Sequence, residues 1–353
     1  EYLAARLRHL GEEGPVECVE VPLVVDQRGA CGVVEAADRV VMGAGFQRGR
    51  QRPRADPPVP RGGGDGPGRP APWRIATFNI RHGLGRDGRV DLARTARTIA
   101  ALQVDAIGLQ EVDVAYGPRS GHEDQASRLA ELLGWEVAFG AALDLPPLRP
   151  DGPRRRYGVA LLAPHALTGP VMHALPAHPG APARHEPRGV LHAQVTRGGG
   201  DALDLLVTHL DNDLPQHRTA EVLGILRRAE GITGPAVLLG DLNAAPHRPE
   251  LAPLAAAGWR EAADALRGPG RGLRELPVLS ALTGSPARPT HPARVPVRRI
   301  DSLWVRGAVE VLDLATGPLT DSDHRPVVAT LRARTAPHEH GPGPEPRTVC
   351  DLD

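Results

Sequence analysis

The stretch VLLGDLNAAP, residues 237–246, places an acid and an amide directly after a short apolar run. The run at 237–239 predicts a buried strand that ends at Gly240. Asp241 and Asn243 follow, two positions apart. Gly, Asp, Asn and Pro are typical turn residues, so a strand-ending turn explains the stretch taken alone. The alternative is that both side chains face a substrate, which requires matching polar groups elsewhere in the chain.

Polar side chains of the types used in catalysis occur at the ends of several other predicted strands. Strand ends of an α/β sheet converge on one rim, where groups far apart in sequence share a cleft. The pattern therefore predicts a polar site at one sheet edge. The residues are Asn79 in strand 74–80, Glu111 after 106–110, His209 in 203–209, Asp301 in 300–305, and Asp323 with His324 before 326–332.

Each of these residues also has a purely structural explanation. Asn79 is typical of a turn, Glu111 of a solvated strand end, and His209 of a buried core histidine. Asp301 differs, because it lies in the apolar run RRIDSLWV, where an unpaired carboxylate is costly to bury. A histidine partner would offset that cost. Since all the structural explanations would have to hold independently, a shared site is favoured.

Composition excludes several classes of protein. The chain has 353 residues, of which 41% are hydrophobic, and its 42 acidic residues balance 42 basic ones, so no overall field attracts nucleic acid or an anionic membrane. Aromatic residues make up 3%, which disfavours a dedicated single-strand binder. The three cysteines lie outside the region of the polar residues and suggest neither a disulfide framework nor a nucleophile.

No apolar run approaches the roughly 20 residues of a membrane span, and no signal peptide is visible. The chain begins with Glu1 and not Met, so the N-terminus need not be complete. We expect no transmembrane segment, a cytoplasmic location and a monomer.

Composition along the chain divides it into four parts. Residues 1–46 form an N-terminal segment of unknown role, and residues 47–72 a Pro/Gly/Arg-rich linker. Residues 73–334 form the main domain, and residues 335–353 a disordered tail. Within the main domain, the stretches 141–156 and 264–298 are rich in Pro, Gly and Arg and predict long surface loops.

Strands and helices alternate in the main domain, yet several predicted strands follow one another without a helix. This order favours antiparallel pairing mixed with α/β crossovers, which predicts two packed mixed sheets with helices outside. The helix predicted at 91–103 begins at an Asp91 N-cap and carries an apolar face. Further helices are predicted at 124–133, 216–229 and 249–257.

Six motifs occur in one order: TFNIRHG, LQEVD, VTHLD, GDLN, RRID and SDHRP. In this order, residues 73–331 resemble the endonuclease/exonuclease/phosphatase superfamily, the DNase I-like metal-dependent phosphoesterases. The resemblance implies an α/β (α+β) four-layer sandwich, in which two packed mixed β-sheets are flanked by helices. It also implies a Mg²⁺ or Mn²⁺ site at one rim.

The resemblance also implies a role for each motif residue. Glu111 and Asn79 match the metal-binding pair, and Asp323 matches a further metal-binding or hydrogen-bonding acid. The other matches are catalytic. Asp241 matches the acid that orients or deprotonates water, and Asn243 matches the amide that holds phosphate. His324, paired with Asp301, matches the essential histidine, His209 matches a second histidine near the phosphate, and Arg188 matches an arginine facing the cleft.

The function implied is a metal-dependent hydrolase that cleaves phosphate esters, as a phosphodiesterase or phosphatase. A DNA or RNA endonuclease of the same superfamily is the alternative, and a noncatalytic interaction module on this fold is a third reading. The partner is a phosphate ester substrate, with nucleic acid as one option. The arginines of PTHPARVPVRRID could contact phosphate or only keep that loop soluble.

Overall fold

The structure is a computed structural model that describes residues 71–180, 185–198, 200–267 and 288–334. The predictions for residues 1–46 and 335–353, and for all but the last two residues of the linker 47–72, lie outside the described residues. So does the larger part of the loop predicted at 264–298.

Twelve strands form two six-stranded sheets in this part of the chain. The first sheet has the order β11-β12-β1-β2-β4-β3 and the second β5-β6-β7-β8-β10-β9. The strands are β1 Trp73–Asn79, β2 Ala106–Val114, β3 Glu136–Leu145, β4 Arg155–Ala163, β5 Ala166–Ala174, β6 Gly189–Thr196, β7 Ala202–His209, β8 Ala236–Asp241, β9 Arg260–Glu261, β10 Asp301–Arg306, β11 Val309–Thr316 and β12 Val327–Ala333.

Five α-helices accompany the strands: α1 Leu92–Ala101, α2 Gln125–Leu133, α3 Pro215–Ala229, α4 Ala252–Ala256 and α5 Ala262–Arg267. Short 3₁₀ helices occur at Arg81–Gly83, Pro118–Ser120 and Pro249–Leu251. Asp91 caps α1 as predicted, since its side chain accepts a hydrogen bond from the backbone N–H of Arg94. None of the helices in the described ranges is long and apolar enough to cross a membrane.

The two sheets pack face to face, and helices cover their outer faces. Strand β8 shows how one apolar run serves both interfaces: Val237 and Leu239 face the core between the sheets, whereas Leu238 faces α3 and packs with Val222 and Ile225. Alternate residues of a strand point to opposite faces. Helices α1 and α2 cover the first sheet in the same way. The predicted four-layer sandwich of two mixed sheets is confirmed.

The loop predicted over residues 141–156 is shorter in the structure. Strand β3 continues to Leu145 and β4 begins at Arg155, so only residues 146–154 between them are irregular. Three strands were not predicted, β5, β9 and β11. Strand β5 contains Gly169 and Pro170, which usually mark a turn. Both are tolerated because β5 lies at a sheet edge and its pairing with β6 shifts register between Thr168 and Val171.

Two parallel pairs bring the candidate residues to one rim. Strands β1 and β2 are parallel and align Asn79 with Gln110, next to Glu111. Strands β7 and β8 are parallel and align His209 with Asp241. Strand β10 runs antiparallel to β8 and begins at Asp301, directly opposite Asp241. The register of each sheet therefore collects its polar residues at the same edge.

Gly240 is required by the close pairing of β8 with β7. A Cβ atom at this position would lie 2.0 Å from the carbonyl oxygen of Thr208. We expect Gly240→Ala to lower the free energy of unfolding by about 1–3 kcal/mol, because the backbone must move to admit the methyl group. Chemical denaturation measures this. Gly231→Ala is the control, since nothing lies within 4 Å of its added Cβ. Equal losses in the two variants would contradict the account.

Candidate active site

The Asp241 carboxylate lies at the centre of the polar rim, with a side chain that is almost fully buried. Its Oδ1 accepts a hydrogen bond from the backbone N–H of Asn243 at 3.0 Å, which forms the turn after β8. Its Oδ2 accepts one from Asn79 Nδ2 at 3.1 Å. Asp241 Oδ1 therefore stabilises the turn after β8, and Asp241 Oδ2 contacts the other polar residues of the rim. The GDLN stretch is both a strand-ending turn and part of a polar site.

Asn243 sits in a left-handed backbone conformation, with φ at 51°. Asn adopts this conformation more readily than most residues. Its Nδ2 donates to the carbonyl oxygen of Leu210 at 2.9 Å, which joins the turn after β8 to the segment after β7. The structure thus gives the Asn243 amide a structural bond. Its role in holding phosphate stays a prediction.

His324 and Asp301 form the predicted pair. The Nδ1 atom of His324 lies 2.9 Å and 3.2 Å from the two carboxylate oxygens of Asp301. Its Nε2 lies 3.6 Å from Asp241 Oδ2, on the other side of the ring. All three side chains are buried. The imidazole therefore lies between two carboxylates, and Asp301 fixes its orientation.

Burial and mutual charge shift the protonation of this group. Burial opposes the charged imidazole, but the negative charges of Asp301 and Asp241 outweigh it and raise the pKa of His324 to about 10. Burial, together with repulsion from Asp301, raises the pKa of Asp241 to about 7, while His324 and Asn79 oppose that rise. At neutral pH the imidazole is protonated.

His209 approaches Asp241 from β7, the neighbouring strand of the same sheet. Its Nε2 lies 3.6 Å from Asp241 Oδ2, and Arg188 NH1 lies 3.3 Å from its Nδ1. Arg188 is buried and also pairs with Glu186 at 2.6 Å. Together with Tyr157, Arg188 and His209 line a small pocket. Arg188 therefore borders the cleft by holding His209, and does not extend into solvent.

Asn79 links the two sheets. Its Nδ2 donates to Glu111 Oε1 at 3.3 Å as well as to Asp241, and its Oδ1 accepts from the backbone N–H of Arg81 at 3.0 Å. Two carboxylate acceptors fix which side of the amide carries the nitrogen. The predicted neighbours Asn79, Glu111 and Asp241 are thus joined by direct contacts.

The backbone at Glu111 departs from regular strand geometry. Its φ is 57°, and the pairing of β2 with β4 shifts register between Leu109 and Val112. This β-bulge frees Glu111 from the ladder, and its side chain remains half-exposed. Positive φ in a residue other than Gly is unfavourable and recurs at functional sites, so the strained position gives independent support for a special role.

Asp323 lies in the same loop as His324, but its side chain contacts residues outside the central group. Its Oδ2 lies 3.5 Å from Arg81 Nε, and its Oδ1 accepts a weak bond from Ser322 Oγ at 3.4 Å. The structure places Asp323 at the rim. Its predicted role beside Glu111 as a metal ligand stays a prediction.

Ser322 was not predicted as a site residue, although it is the first residue of the motif SDHRP. Its Oγ donates to the carbonyl oxygen of Asn79 at 2.7 Å and lies 3.2 Å from the backbone nitrogen of His324. Ser322 therefore ties the end of β1 to the His324 loop. His291 was also not selected, and its ring lies 4.7 Å from that of His324. The sequence between β9 and β10 gives no sign of this contact.

The carboxylate of Glu111 fits a hard divalent cation, because it offers oxygen atoms and its partial exposure leaves room for the several waters that Mg²⁺ keeps. The Oδ1 of Asn79 accepts the hydrogen bond from Arg81, so the role of Asn79 as a second ligand stays a prediction. Asp241, Asp301 and His324 also have ligand atoms within 4.8 Å of one another. The imidazole of that group already has a carboxylate neighbour at each ring nitrogen, Asp301 at Nδ1 and Asp241 at Nε2.

A model of the Endonuclease/Exonuclease/phosphatase family matches residues 76–324, which is more than half of the chain and spans every candidate site residue from Asn79 to His324. The chain belongs to this family. No curated protein sequence matches it.

Solved structures with the same fold include other family members. The endonuclease/exonuclease/phosphatase from Beutenbergia cavernae is 26% identical, and the match covers 75% of this chain and 72% of that one with a TM-score of 0.56. A mannosyl-6-phosphatase from Bacteroides thetaiotaomicron is 16% identical, with 73% and 99% covered and a TM-score of 0.53. The human Nocturnin catalytic domain, solved with a bound sulfate anion, is 19% identical, with 75% and 96% covered and a TM-score of 0.53.

The Asp301 carboxylate should control the titration of His324 in this family member. Asp301→Asn removes the principal charge that raises the pKa of His324, so the pKa should fall below about 10 in EDTA-treated protein. Because the folded pKa exceeds the unfolded value of about 6.5, the stabilisation from the imidazolium is complete below about pH 6.5 and is lost as the pH rises towards 10. NMR titration of the ring measures the shift.

Asp204→Asn is the matched control for this titration. Asp204 also pairs with a histidine, His192, at 2.8 Å, but at the opposite end of β7 from His209. The control should leave the pKa of His324 unchanged. An unchanged pKa in Asp301→Asn would show that the pair does not act as described.

Proposed function

We propose that the protein is a metal-dependent hydrolase that cleaves phosphate ester bonds, as a phosphodiesterase or phosphatase. One observation carries the proposal: Asp241 Oδ2 is the meeting point of Asn79, His209 and His324, and Asp301 supports His324 from behind. A strand-ending turn does not require two imidazoles and an amide around one buried carboxylate oxygen. Membership of the family supports the same chemistry.

Hydrolysis of a phosphate ester has three requirements that these residues can meet. The ester is anionic and repels a nucleophile, so positive charge must face its nonbridging oxygens, a water must be oriented, and the departing oxygen must be stabilised. Asp241 orients the water by accepting its hydrogen bond. The imidazolium of His324, held by Asp301, places positive charge near the phosphoryl oxygens. These oxygens become more negative as the water attacks phosphorus.

Glu111 and Asn79 would hold Mg²⁺ or Mn²⁺, with Asp323 as a further candidate ligand. Such a cation supplies Lewis-acid stabilisation of the phosphate oxygens and of the leaving oxygen. Asn79 donates to both Glu111 and Asp241, so it sets the spacing between the metal side of the site and the water side. His209, oriented by Arg188, contributes a donor towards the phosphate from the second sheet.

The reaction follows from these positions. Water attacks phosphorus in line with the ester oxygen that leaves. The new P–O bond forms as the ester P–O bond breaks, and the water gives a proton to the Asp241 carboxylate. The departing oxygen takes a proton from solvent and leaves as a hydroxyl, and Asp241 then returns its proton to solvent. The Asn243 amide, fixed by Leu210, adds a donor on the same side.

A DNA or RNA endonuclease is the second candidate, and one surface favours it. The segment before β10 packs on the His324 loop, because Ala293 N–H donates to the carbonyl oxygen of Asp323 at 2.7 Å and Arg325 Nε donates to that of Ala293 at 2.7 Å. This segment exposes Arg294 and Arg298. Two exposed guanidinium groups beside the site suit a substrate that carries several phosphates.

The proposed activity should depend strictly on a divalent cation. We expect the purified protein to hydrolyse bis-p-nitrophenyl phosphate, or another ester from a panel of sugar phosphates, lipid headgroup diesters and plasmid DNA, with Mg²⁺ or Mn²⁺ and not in EDTA. Plasmid nicking that falls steeply with salt would favour the endonuclease. No metal-dependent turnover of any substrate would overturn the proposal in favour of an interaction module.

Loss of either central group should reduce turnover without unfolding the protein. We expect His324→Ala and Asp241→Asn each to lower kcat by a factor on the order of 10² or more, because each removes an acid–base or charge-stabilising group. His192→Ala and Asp204→Asn are matched controls from a His–Asp pair remote from the rim and should retain activity. Near-wild-type kcat in either site variant would remove the mechanism.

A further inference from the structure

A second group of metal-ligating side chains lies in the second sheet, outside the central site. It consists of His185 before β6, Asp211 after β7 and Glu221 on α3. One ligand atom of each lies within 4.8 Å of the others. Asp211 is 4% exposed and Glu221 is fully buried. His185 belongs to the motif HEPRG and Asp211 to the motif VTHLD, but the proposed hydrolysis uses neither His185 nor Asp211.

Hydrogen bonds occupy one oxygen of each carboxylate and leave the other available. Asp211 Oδ1 accepts from the backbone N–H groups of Asp213 at 2.9 Å and Leu214 at 2.7 Å. Glu221 Oε2 accepts from the N–H of Asp211 at 2.9 Å. Glu221 Oε1 is buried and has no hydrogen-bond partner within the described ranges. A buried carboxylate oxygen without a partner is costly, so this atom requires an explanation.

Each arginine near the two acids forms its short ion pair with another carboxylate. Arg188 lies 2.6 Å from Glu186, and Arg218 lies 2.9 Å from Glu250. Their charges still act on Glu221 from a greater distance, but in the described part of the chain neither guanidinium contacts the carboxylate oxygens of Asp211 or Glu221 directly. A protein has two ways to keep such a pair: it protonates one acid, or it binds a cation between them.

The histidine of the group is held in place beside Asp211. The ring of His217 stacks on the ring of His185, with 4.3 Å between their centroids. An imidazole oriented in this way can present a ring nitrogen to a cation. The Nδ1 of His185 lies 3.4 Å from Asp211 Oδ2, which is longer than the 2.9 Å of the His324–Asp301 bond.

The distance of 3.4 Å between these two atoms also suits coordination. Bonds of about 2.0–2.1 Å from Zn²⁺ to nitrogen and oxygen, at a tetrahedral angle, separate two ligand atoms by roughly 3.4 Å. One nitrogen and two carboxylate oxygens are three protein ligands, and a water completes four. Mg²⁺ prefers oxygen alone, whereas an imidazole favours a first-row transition cation.

We propose that His185, Asp211 and Glu221 bind a divalent cation of the zinc type, separate from the cation expected at Glu111 and Asn79. The site joins the segment before β6 to the first turns of α3. It thereby holds Arg188, three residues after His185, against His209 Nδ1. The second cation stabilises the wall of the cleft, and a water occupies its fourth coordination position.

Co²⁺ and Zn²⁺ binding to the full chain tests this proposal after EDTA treatment and dialysis. Wild-type protein should show the visible absorption of tetrahedral Co²⁺, and Zn²⁺ should displace it with a stoichiometry that calorimetry measures. Glu221→Gln and His185→Gln should abolish this absorption and weaken Zn²⁺ binding at least about tenfold. Glu111→Gln should retain both signals, which separates this site from the cation of the proposed reaction.

Two matched variants control for charge and for other histidines. Asp213→Asn changes an exposed acid two residues from Asp211, and His178→Gln removes an exposed imidazole in the segment before β6. Both should bind Zn²⁺ as the wild type does. Circular dichroism establishes that each variant is folded.

The wild-type spectrum decides the question even if the ligand variants do not fold. Absence of tetrahedral Co²⁺ absorption in wild-type protein would overturn the proposal, as would equal Zn²⁺ affinity in wild type and folded Glu221→Gln. Loss of the signal in Glu111→Gln would also overturn it, because the cation would then belong to the other site.

Discussion

The buried carboxylate of Asp241 is the constraint on which the rim of the molecule depends. One of its oxygens closes the turn after β8, and the other meets an amide from the first sheet and two imidazoles. A buried acid of this kind is stable only while its partners stay in place. The register that aligns His209 and Asp301 with Asp241 is thus a requirement of electrostatics as well as of packing.

The two packed sheets and the identity of most rim residues could be predicted, because both follow from local patterns. A short apolar run with a polar end marks a strand and its edge, as at 237–241. Edge strands were harder, since β5 carries Gly169 and Pro170 and only its edge position makes them acceptable. The positive φ of Glu111 and the bond from Ser322 to Asn79 depend on strand register and long-range contacts, which the sequence does not encode locally.

Charge is organised differently on the two sides of the cleft. Around Asp241, the imidazole of His324 lies between two carboxylates. The side chains of Asn79 and His209 also approach Asp241 Oδ2. Around Asp211 and Glu221, the nearest histidine stacks on His217, and each nearby arginine forms its short ion pair with another carboxylate. Arg188 connects the two groups through His209. Under the two proposals, the same fold would hold an oxygen-bound divalent cation at Glu111 and a second cation with a nitrogen ligand at His185.

The central claim is that Asp241 and His324 act as one unit across the 3.6 Å between Oδ2 and Nε2. A double-mutant cycle on kcat tests it most directly, with Asp241→Asn, His324→Ala and the combined variant assayed on one substrate with Mg²⁺. Groups that act together are strongly non-additive, so the combined variant should be about as slow as the slower single variant. Losses that multiply in full would contradict a shared site.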